Sequence, residues 1–331
     1  MNRLWRWRPS RWEITLCILT VVAGAWSAKL SPYYLSPDQI AYSTRHFIIP
    51  GLLALGLAVV VVLGEIDISL ASILAVGAVL FSKGSAYHIP IWAAVPGVTA
   101  ACALLGTLNG VLVARLGLPS LAVTLGTMGA YRGLAFIIGS EKGYTDFDDP
   151  YLWAGSEQVL GVVPVSFILF LLMALATGFL MHMTVFGRRC FSIGNNRDAA
   201  WFAGIDVRKL TIHAYTLAGA LSGLAALIWV GQYGSARGDN ADGMILFVVT
   251  AVVLGGVDIN GGRGTVLGVV LALFLLGTLR NGMGLANIAG PTQTVVLGGL
   301  LVVGVLHPAF AAMIGHGRRL FQPRSISKVN A

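Results

Sequence analysis

Charge is what this sequence has least of. Asp, Glu, Lys and Arg together make up 11% of its 331 residues, against roughly 25% in a soluble domain. With 56% of residues hydrophobic and a mean hydropathy of +0.80, there is too little polar surface to clothe a water-soluble fold. Cysteine is scarce as well. Cys17, Cys102 and Cys190 lie far apart without C-x-x-C spacing, which argues against both a disulfide framework and a cysteine metal site. The six histidines form no ligand-spaced pair and no serine or cysteine stands in a nucleophile motif, so neither a metal site nor a catalytic residue is expected. A phosphate loop of the form G-x-x-x-x-G-K-[ST] is also missing. No cofactor is therefore expected on this chain, and energy for any active process must come from another chain or from an ion gradient.

Apolar sequence rich in glycine is what the chain has in quantity. Ten runs approach the ~20 residues that cross a bilayer, at about residues 13–29, 47–63, 69–82, 90–114, 119–138, 163–183, 211–231, 242–257, 264–281 and 292–312. The 42 glycines scattered through them suit helices that pack backbone to backbone. The expectation is an all-α polytopic membrane protein, one transmembrane domain over residues 1–331 with about ten transmembrane helices. The third run is short and the eighth is followed by VDINGGRGT, so either is a candidate for a broken or re-entrant helix. Ten crossings put both termini on one side, and the basic ends at 1–12 and 313–331 assign that side to the cytoplasm. Lysine and arginine follow the same division. Lys29, Arg45, Lys83, Lys142, Arg237 and Arg280 fall outside, Arg132 falls within a span, and the rest are cytoplasmic. The net charge of +8 therefore reads as membrane orientation rather than as a nucleic-acid partner. The basic start before residues 14–28 has the layout of a signal peptide, with Ala25 and Ser27 at a passable cleavage site, but the many following spans favour an uncleaved first helix.

A repeat stands out. VVLGEIDIS at 61–69 and VVLGGVDIN at 252–260 match at six of nine positions. Both copies run toward the cytoplasm in the ten-span reading, which suggests two related halves with a solute path between them. Asp67 with Ser69, and Asp258 with Asn260, are suited to capping the helix that follows each glycine turn. The functional alternative is a cytoplasmic gate in which Asp67, Asp258 and Arg263 change partners as the halves open.

The longest cytoplasmic segment, 184–210, contains FGRRCFSIGNNRDAAWFAGIDVRKL. Asn196 can cap a short helix over 197–203, Gly204 can end it, and Asp206 can cap the next span. Ala199, Ala200, Trp201 and Phe202 then form an apolar knob, read either as a plug for a partner's socket or as a helix lying on lipid headgroups. The longest outer loop, 139–162, interleaves acidic residues with Tyr144, Phe147, Tyr151 and Trp153, either as a docking face or as aromatics at the lipid interface. Within spans, Asn109, Thr124, Thr127, Tyr131, Arg132 and Asn281 are candidates to line a path for a neutral polar solute, with interhelical hydrogen bonding as the alternative. The pairs Gly106–Gly110, Gly129–Gly133 and Gly219–Gly223 have the spacing of close helix crossings.

The run from Gly187 and Arg188 through Gly194, Asn195, Asn196, Ala199 and Ala200 to Gly204 resembles the cytoplasmic coupling loop of sugar-type ABC importer permeases, those for ribose, xylose and related monosaccharides. GEIDIS, LPSLAVTLGTMGAYRGLAF and VVTAVVLGGVDINGGRGT, in the same order, extend the resemblance over nearly the whole chain. It is nearest to permeases for deoxyhexoses such as rhamnose or for the autoinducer-2 type of signal. Trp201 and Phe202 depart from the pattern, standing where it has a polar or smaller residue and then an aliphatic one. The resemblance implies a multi-pass permease of the bacterial inner membrane that imports a sugar-like solute by alternating access. Its implied partners are two cytoplasmic ATPase subunits that bind the ATP, a second permease that is the same or a paralogous chain, and a periplasmic solute-binding protein. A stand-alone secondary transporter or channel is the alternative reading of the residues alone.

Overall fold

The computed structural model describes residues 10–320 apart from 32, 140–142, 160 and 162. The start of the basic N-terminus (1–9), the end of the basic tail (321–331) and those six interior positions lie outside the described residues. The chain is mostly helical. Helix α1 (Arg11–Leu30) opens on a capping box, in which Ser10 Oγ accepts the Glu13 N–H and Glu13 Oε2 accepts the Ser10 N–H at 2.6 Å. Helix α2 (Pro37–Val62) starts well before its apolar run, because Ser36 caps it and Pro37 presets its first turn. Then come α3 (Leu70–Ala86), α4 (Ile91–Ala114) and α5 (Ser120–Gly139).

The outer loop folds into α6 (Asp149–Ser156) and a small antiparallel pair, β1 (Gln158–Val159) with β2 (Val163–Pro164), in which Gln158 faces Pro164. Tyr151 belongs to the core rather than to a free aromatic face. It is 2% exposed, donates to the Ile89 carbonyl, and its ring lies 4.5 Å from that of Phe81. Next come α7 (Val165–Met183), α8 (Val185–Asn195), α9 (Arg197–Phe202), α10 (Val207–Tyr233), α11 (Met244–Leu254), α12 (Val266–Leu285) and α13 (Gly290–Leu320).

Seven helices, α1, α2, α4, α5, α7, α10 and α12, are long and apolar enough to cross a membrane, while α3, α11 and the first part of α13 are shorter apolar helices. Each of the ten expected spans falls on one of these helices, and the chain is a multi-pass membrane protein. The bundle is built around α10, which packs on α4, α2, α3 and α6. Lipid is as apolar as leucine, so helices in a bilayer associate where small residues let backbones approach. A Cβ on Gly106 would lie 3.1 Å from Gly219 Cα, and one on Gly223 would lie 3.1 Å from Thr99 Cα. Gly106–Gly110 and Gly219–Gly223 are thus the two sides of one crossing, α4 on α10. Gly129 and Gly133 keep the same spacing, yet nothing among the described residues comes within 4 Å of a Cβ at either, so that face of α5 is open.

Candidate functional site

The repeated segments build the same turn twice. Helix α2 ends with Glu65 N–H bonded to the Val60 carbonyl and Gly64 N–H to Val61, while α11 ends with Val257 N–H bonded to Val252 and Gly256 N–H to Val253. Each is a Schellman ending, with a left-handed glycine at Gly64 (φ +80) and Gly256 (φ +86). In sequence Gly64 aligns with Gly255, so α11 runs one residue further before it turns. Asp67 Oδ1 then accepts the Ser69 N–H at 2.9 Å and its hydroxyl at 2.6 Å, and Asp258 Oδ1 accepts the Asn260 N–H at 3.0 Å and its amide at 3.1 Å. These bonds close the turns instead of capping the next helix. Ser69 makes no side-chain cap to α3, and α12 is capped by Thr265, whose hydroxyl accepts the Gly268 N–H at 3.0 Å. The contact between Asp258 and Arg263 is a backbone one, from the Asp258 N–H to the Arg263 carbonyl at 3.1 Å.

The two turns meet each other and the end of α8. Gly262 N–H donates to the Val62 carbonyl at 2.8 Å, and a Cβ on Gly261 would stand 2.7 Å from Gly64 N. A Cβ on Gly194 would overlap both the Val62 carbonyl and Gly262 N, so three stretches of backbone touch where no side chain fits. Asn195 Nδ2 reaches from α8 to the Gly262 carbonyl at 3.2 Å. Arg197, at the start of α9, binds Glu65 at 2.6 Å, and that glutamate is only 8% exposed. The second turn is also held from α1, where Trp12 Nε1 donates to the Leu254 carbonyl at 2.8 Å and Glu13 Oε1 accepts the Thr265 hydroxyl at 2.6 Å.

Beyond this junction α9 presents its outer face. Asn196 caps it by accepting the Ala199 N–H at 2.9 Å, and Gly204 follows it at φ +78. Ala200 turns inward and is buried, while Ala199 is exposed and Trp201 and Phe202 are 64% and 81% exposed, their rings 4.9 Å apart. The expected four-residue knob is therefore two aromatics standing on a buried alanine. Asp206, half exposed, caps α10; the Lys209 N–H at 3.0 Å and the Lys209 ammonium at 3.2 Å hold its carboxyl below the usual aspartate range. A cavity of about 880 Å³ lies beside α9, lined by Arg197, Asp198, Trp201, Asp206 and Arg208 among others. Gly187 packs on the Met181 backbone where α7 passes into α8, and Arg188 is exposed and donates to the Met183 carbonyl at 3.4 Å.

The candidate path residues fall into separate hydrogen-bonded groups. Tyr131 donates to Asn109 Oδ1 at 2.9 Å, Asn109 Nδ2 donates to Ser69 Oγ at 2.8 Å, and Ser69 binds Asp67, forming a buried relay that ties α5 and α4 to the first turn. Thr124 donates to Ser120 and Ile66 carbonyls, and Thr127 donates to the Thr124 carbonyl. Arg132 fastens α5 to the 234–243 connector through the Gly238 and Asn240 carbonyls at 2.8 and 2.6 Å. Asn281 is buried on α12 and accepts from Gln39 at 2.9 Å. Sequence reasoning did not single out Glu65, Gly261, Gly262, Trp12 or Glu13. Glu65 was visible as the charged residue that stands where the second copy of the repeat has Gly256.

Residues 39–305 match the family described as branched-chain amino acid transport system / permease component. The chain is 34% identical over 301 residues to an autoinducer 2 import system permease protein LsrD of Enterobacter sp. (strain 638), covering 89% of this chain and 92% of that one. A protein of the same name from Klebsiella pneumoniae subsp. pneumoniae is 32% identical over 325 residues, covering 95% and 98%. A solved inward-facing metal-chelate type ABC transporter is a remote likeness, at TM-score 0.49 and 14% identity over 92% of this chain and 98% of that one. Matched along most of its length, the chain belongs to the branched-chain amino acid transport system / permease component family, as a relative of sugar-type ABC importer permeases.

Proposed function

We propose that this chain is the membrane-spanning subunit of an ATP-driven importer that moves a sugar-like solute, of the autoinducer-2 class named for its relatives, inward across the bacterial inner membrane by alternating access. The supporting observation is the glycine junction, in which the end of α8 is wedged against both repeat turns while α9 offers Trp201 and Phe202 outward. An apolar pair so exposed on an otherwise polar loop fits the socket of a partner. Two cytoplasmic ATPase subunits are that partner. A force on α9 is passed by backbone contact to α2 and α11, one helix from each half. A second permease, the same or a paralogous chain, completes the path, and a periplasmic binding protein delivers the solute. Both termini lie in the cytoplasm, and Gly187, Arg188, Gly194, Asn195, Asn196, Ala199, Ala200, Trp201, Phe202 and Gly204 form or support the coupling element. The ATPases can drive the cycle only by binding one state of the permease better than the other, since equal affinity shifts nothing.

The test is to purify the chain from its native membranes, identify what accompanies it, and measure solute-stimulated ATP hydrolysis in liposomes. A stoichiometric ATPase is expected. Trp201→Ala with Phe202→Ala, which touches no buried contact, is expected to lower both its retention and coupled uptake at least about tenfold, as for aromatic hot spots at interfaces. Solute movement by the isolated chain in the absence of ATP would overturn this reading in favour of a stand-alone transporter.

A further inference from the structure

At the end of the bundle that carries α6, a cavity of about 710 Å³ opens in the side of the protein. Its floor is α10, where Leu224 is only half-buried although most of that helix is core. Its sides are α4, through Val95, and α7, through Leu169 and Met173, all three half-buried. Helix α4 packs on α10, α3 and α5, whereas α7 packs on α2, α12, α8 and α6, so the two stand apart across a cleft. Helix α6 roofs it. Gly155 sits on the Gly231 backbone near the end of α10, and the Tyr151 hydroxyl donates to the Ile89 carbonyl, which fixes the roof at two points.

The setting decides what fills the cleft. Below the roof its lining side chains are all apolar, with nothing to hold water, and an apolar cavity of this kind stays dry. Its mouth lies between helix faces that meet the bilayer, since Trp92 on α4 and Leu172 on α7 are 77% and 52% exposed. Acyl chains are the apolar matter at hand there, and an empty cleft would forgo the dispersion contacts they supply. A membrane helix of another chain suits the shape poorly, because it is about 10–12 Å across with its side chains and would have to run through the α6 roof. A lipid enters from the side, with its tail in the cleft and its headgroup beside α6.

The rim selects the headgroup. Trp92 and Trp153, both exposed, mark the level of the membrane–water interface at this end of the bundle. At that level two carboxylates, Asp149 and Glu157, line the cleft, with no lysine or arginine beside them among the described residues. Both are exposed, and neither takes part in an ion pair of the described residues. Such a rim attracts an ammonium and repels an anionic headgroup.

We propose that the cleft between α4 and α7 is a lipid site for a glycerophospholipid with a primary ammonium headgroup. One acyl chain packs on Leu224 between Val95 and the Leu169–Met173 face, and the ammonium pairs with Asp149 and Glu157. The tail joins two helices that the protein alone leaves apart.

The experiment places the full chain, with whatever subunits co-purify, in bilayers that mix phosphatidylethanolamine and phosphatidylglycerol with identical tails. The protein is then extracted, and the lipid it retains is counted by native mass spectrometry. Wild type is expected to keep phosphatidylethanolamine, enriched about twofold to fivefold over the bilayer ratio, the worth of an exposed ion pair. Asp149→Asn with Glu157→Gln, at exposed positions, is expected to abolish the enrichment. Val95→Phe with Leu169→Phe, which fills the cleft, is expected to retain one lipid fewer, with an unfolding midpoint no lower than that of wild type as the folding control. Wild-type retention without headgroup preference, a preference for phosphatidylglycerol, or an unchanged count in the filled variant overturns the proposal. It is overturned too if filling the cleft costs the complex a co-purifying chain and leaves the lipid count as it was, since the cleft then belongs to that chain.

Discussion

Gly194 shows how much a single missing side chain does in this protein. A methyl group there would strike the Val62 carbonyl and Gly262 N, both backbone atoms that no rotamer change can move aside. Gly194→Ala is expected to cost about 1–3 kcal/mol, as overpacking does, and to uncouple ATP hydrolysis from uptake. Gly126→Ala on α5, where nothing lies within 4 Å, is expected to raise helix stability by about 0.5–1 kcal/mol and to leave uptake unchanged. Unfolding midpoints and the ratio of solute moved to ATP hydrolysed measure both. The Arg197–Glu65 pair makes a second residue-scale case. Glu65 is buried and Arg197 is half exposed, so Arg197→Ala strands a carboxylate and is expected to destabilise by about 1 kcal/mol or more, whereas Glu65→Gln is expected to cost less. In the double variant most of the Arg197→Ala loss is expected to vanish, since nothing charged is left unpaired; a thermal-unfolding cycle on the four proteins reads this coupling.

Elements were legible where their ends carry a chemical signal. Asn196, Gly204 and Asp206 mark α9 and the start of α10 in the sequence alone, because an N-cap side chain and a left-handed glycine are local demands on residue type. The start of α2 was not legible from apolar content, because its first turns carry Gln39, Ser43, Arg45 and His46 and read as loop; the cue was the Ser36–Pro37 cap. Helix α8 was missed for the same reason, its buried Gly187, Cys190 and Ile193 being separated by arginines and serine. The cap on α10 gives a pH test. Asp206 has its carboxyl held low by the Lys209 backbone N–H and ammonium. Its contribution to the helix start is therefore present in full above the ordinary aspartate range and is lost as pH falls through the lower folded value. The protection factor of the Lys209 amide, its exchange rate taken relative to the intrinsic rate at each pH, is expected to fall over that window, and Asp206→Asn, which keeps an acceptor but cannot titrate, is expected to remove that fall.

Across the whole molecule the two copies of the repeat touch, and a match of six positions in nine could not announce that. Sequence similarity says that two segments fold alike, whereas the contact depends on how α10 and α4 bring the halves together. The same limit applied to the polar residues inside the spans. Asn109 and Tyr131 were visible as unusual, but only packing shows that they bind one another. At the junction, Gly64, Gly194, Gly261 and Gly262 meet backbone to backbone, with Asn195 and Arg197 fastening the edges. Such a contact has no side-chain ridges over which to ratchet, so α9 and both turns are expected to travel as one body when the bundle opens. Spin labels at Phe202 and Ile259, both exposed, measure this directly. Their separation is expected to stay constant between nucleotide-free and ATP-bound complexes in labelled protein that still turns over. A change approaching one helical turn, about 5 Å, would mean that α9 slides over the turns, and the motion would then have to reach the bundle through α10 instead.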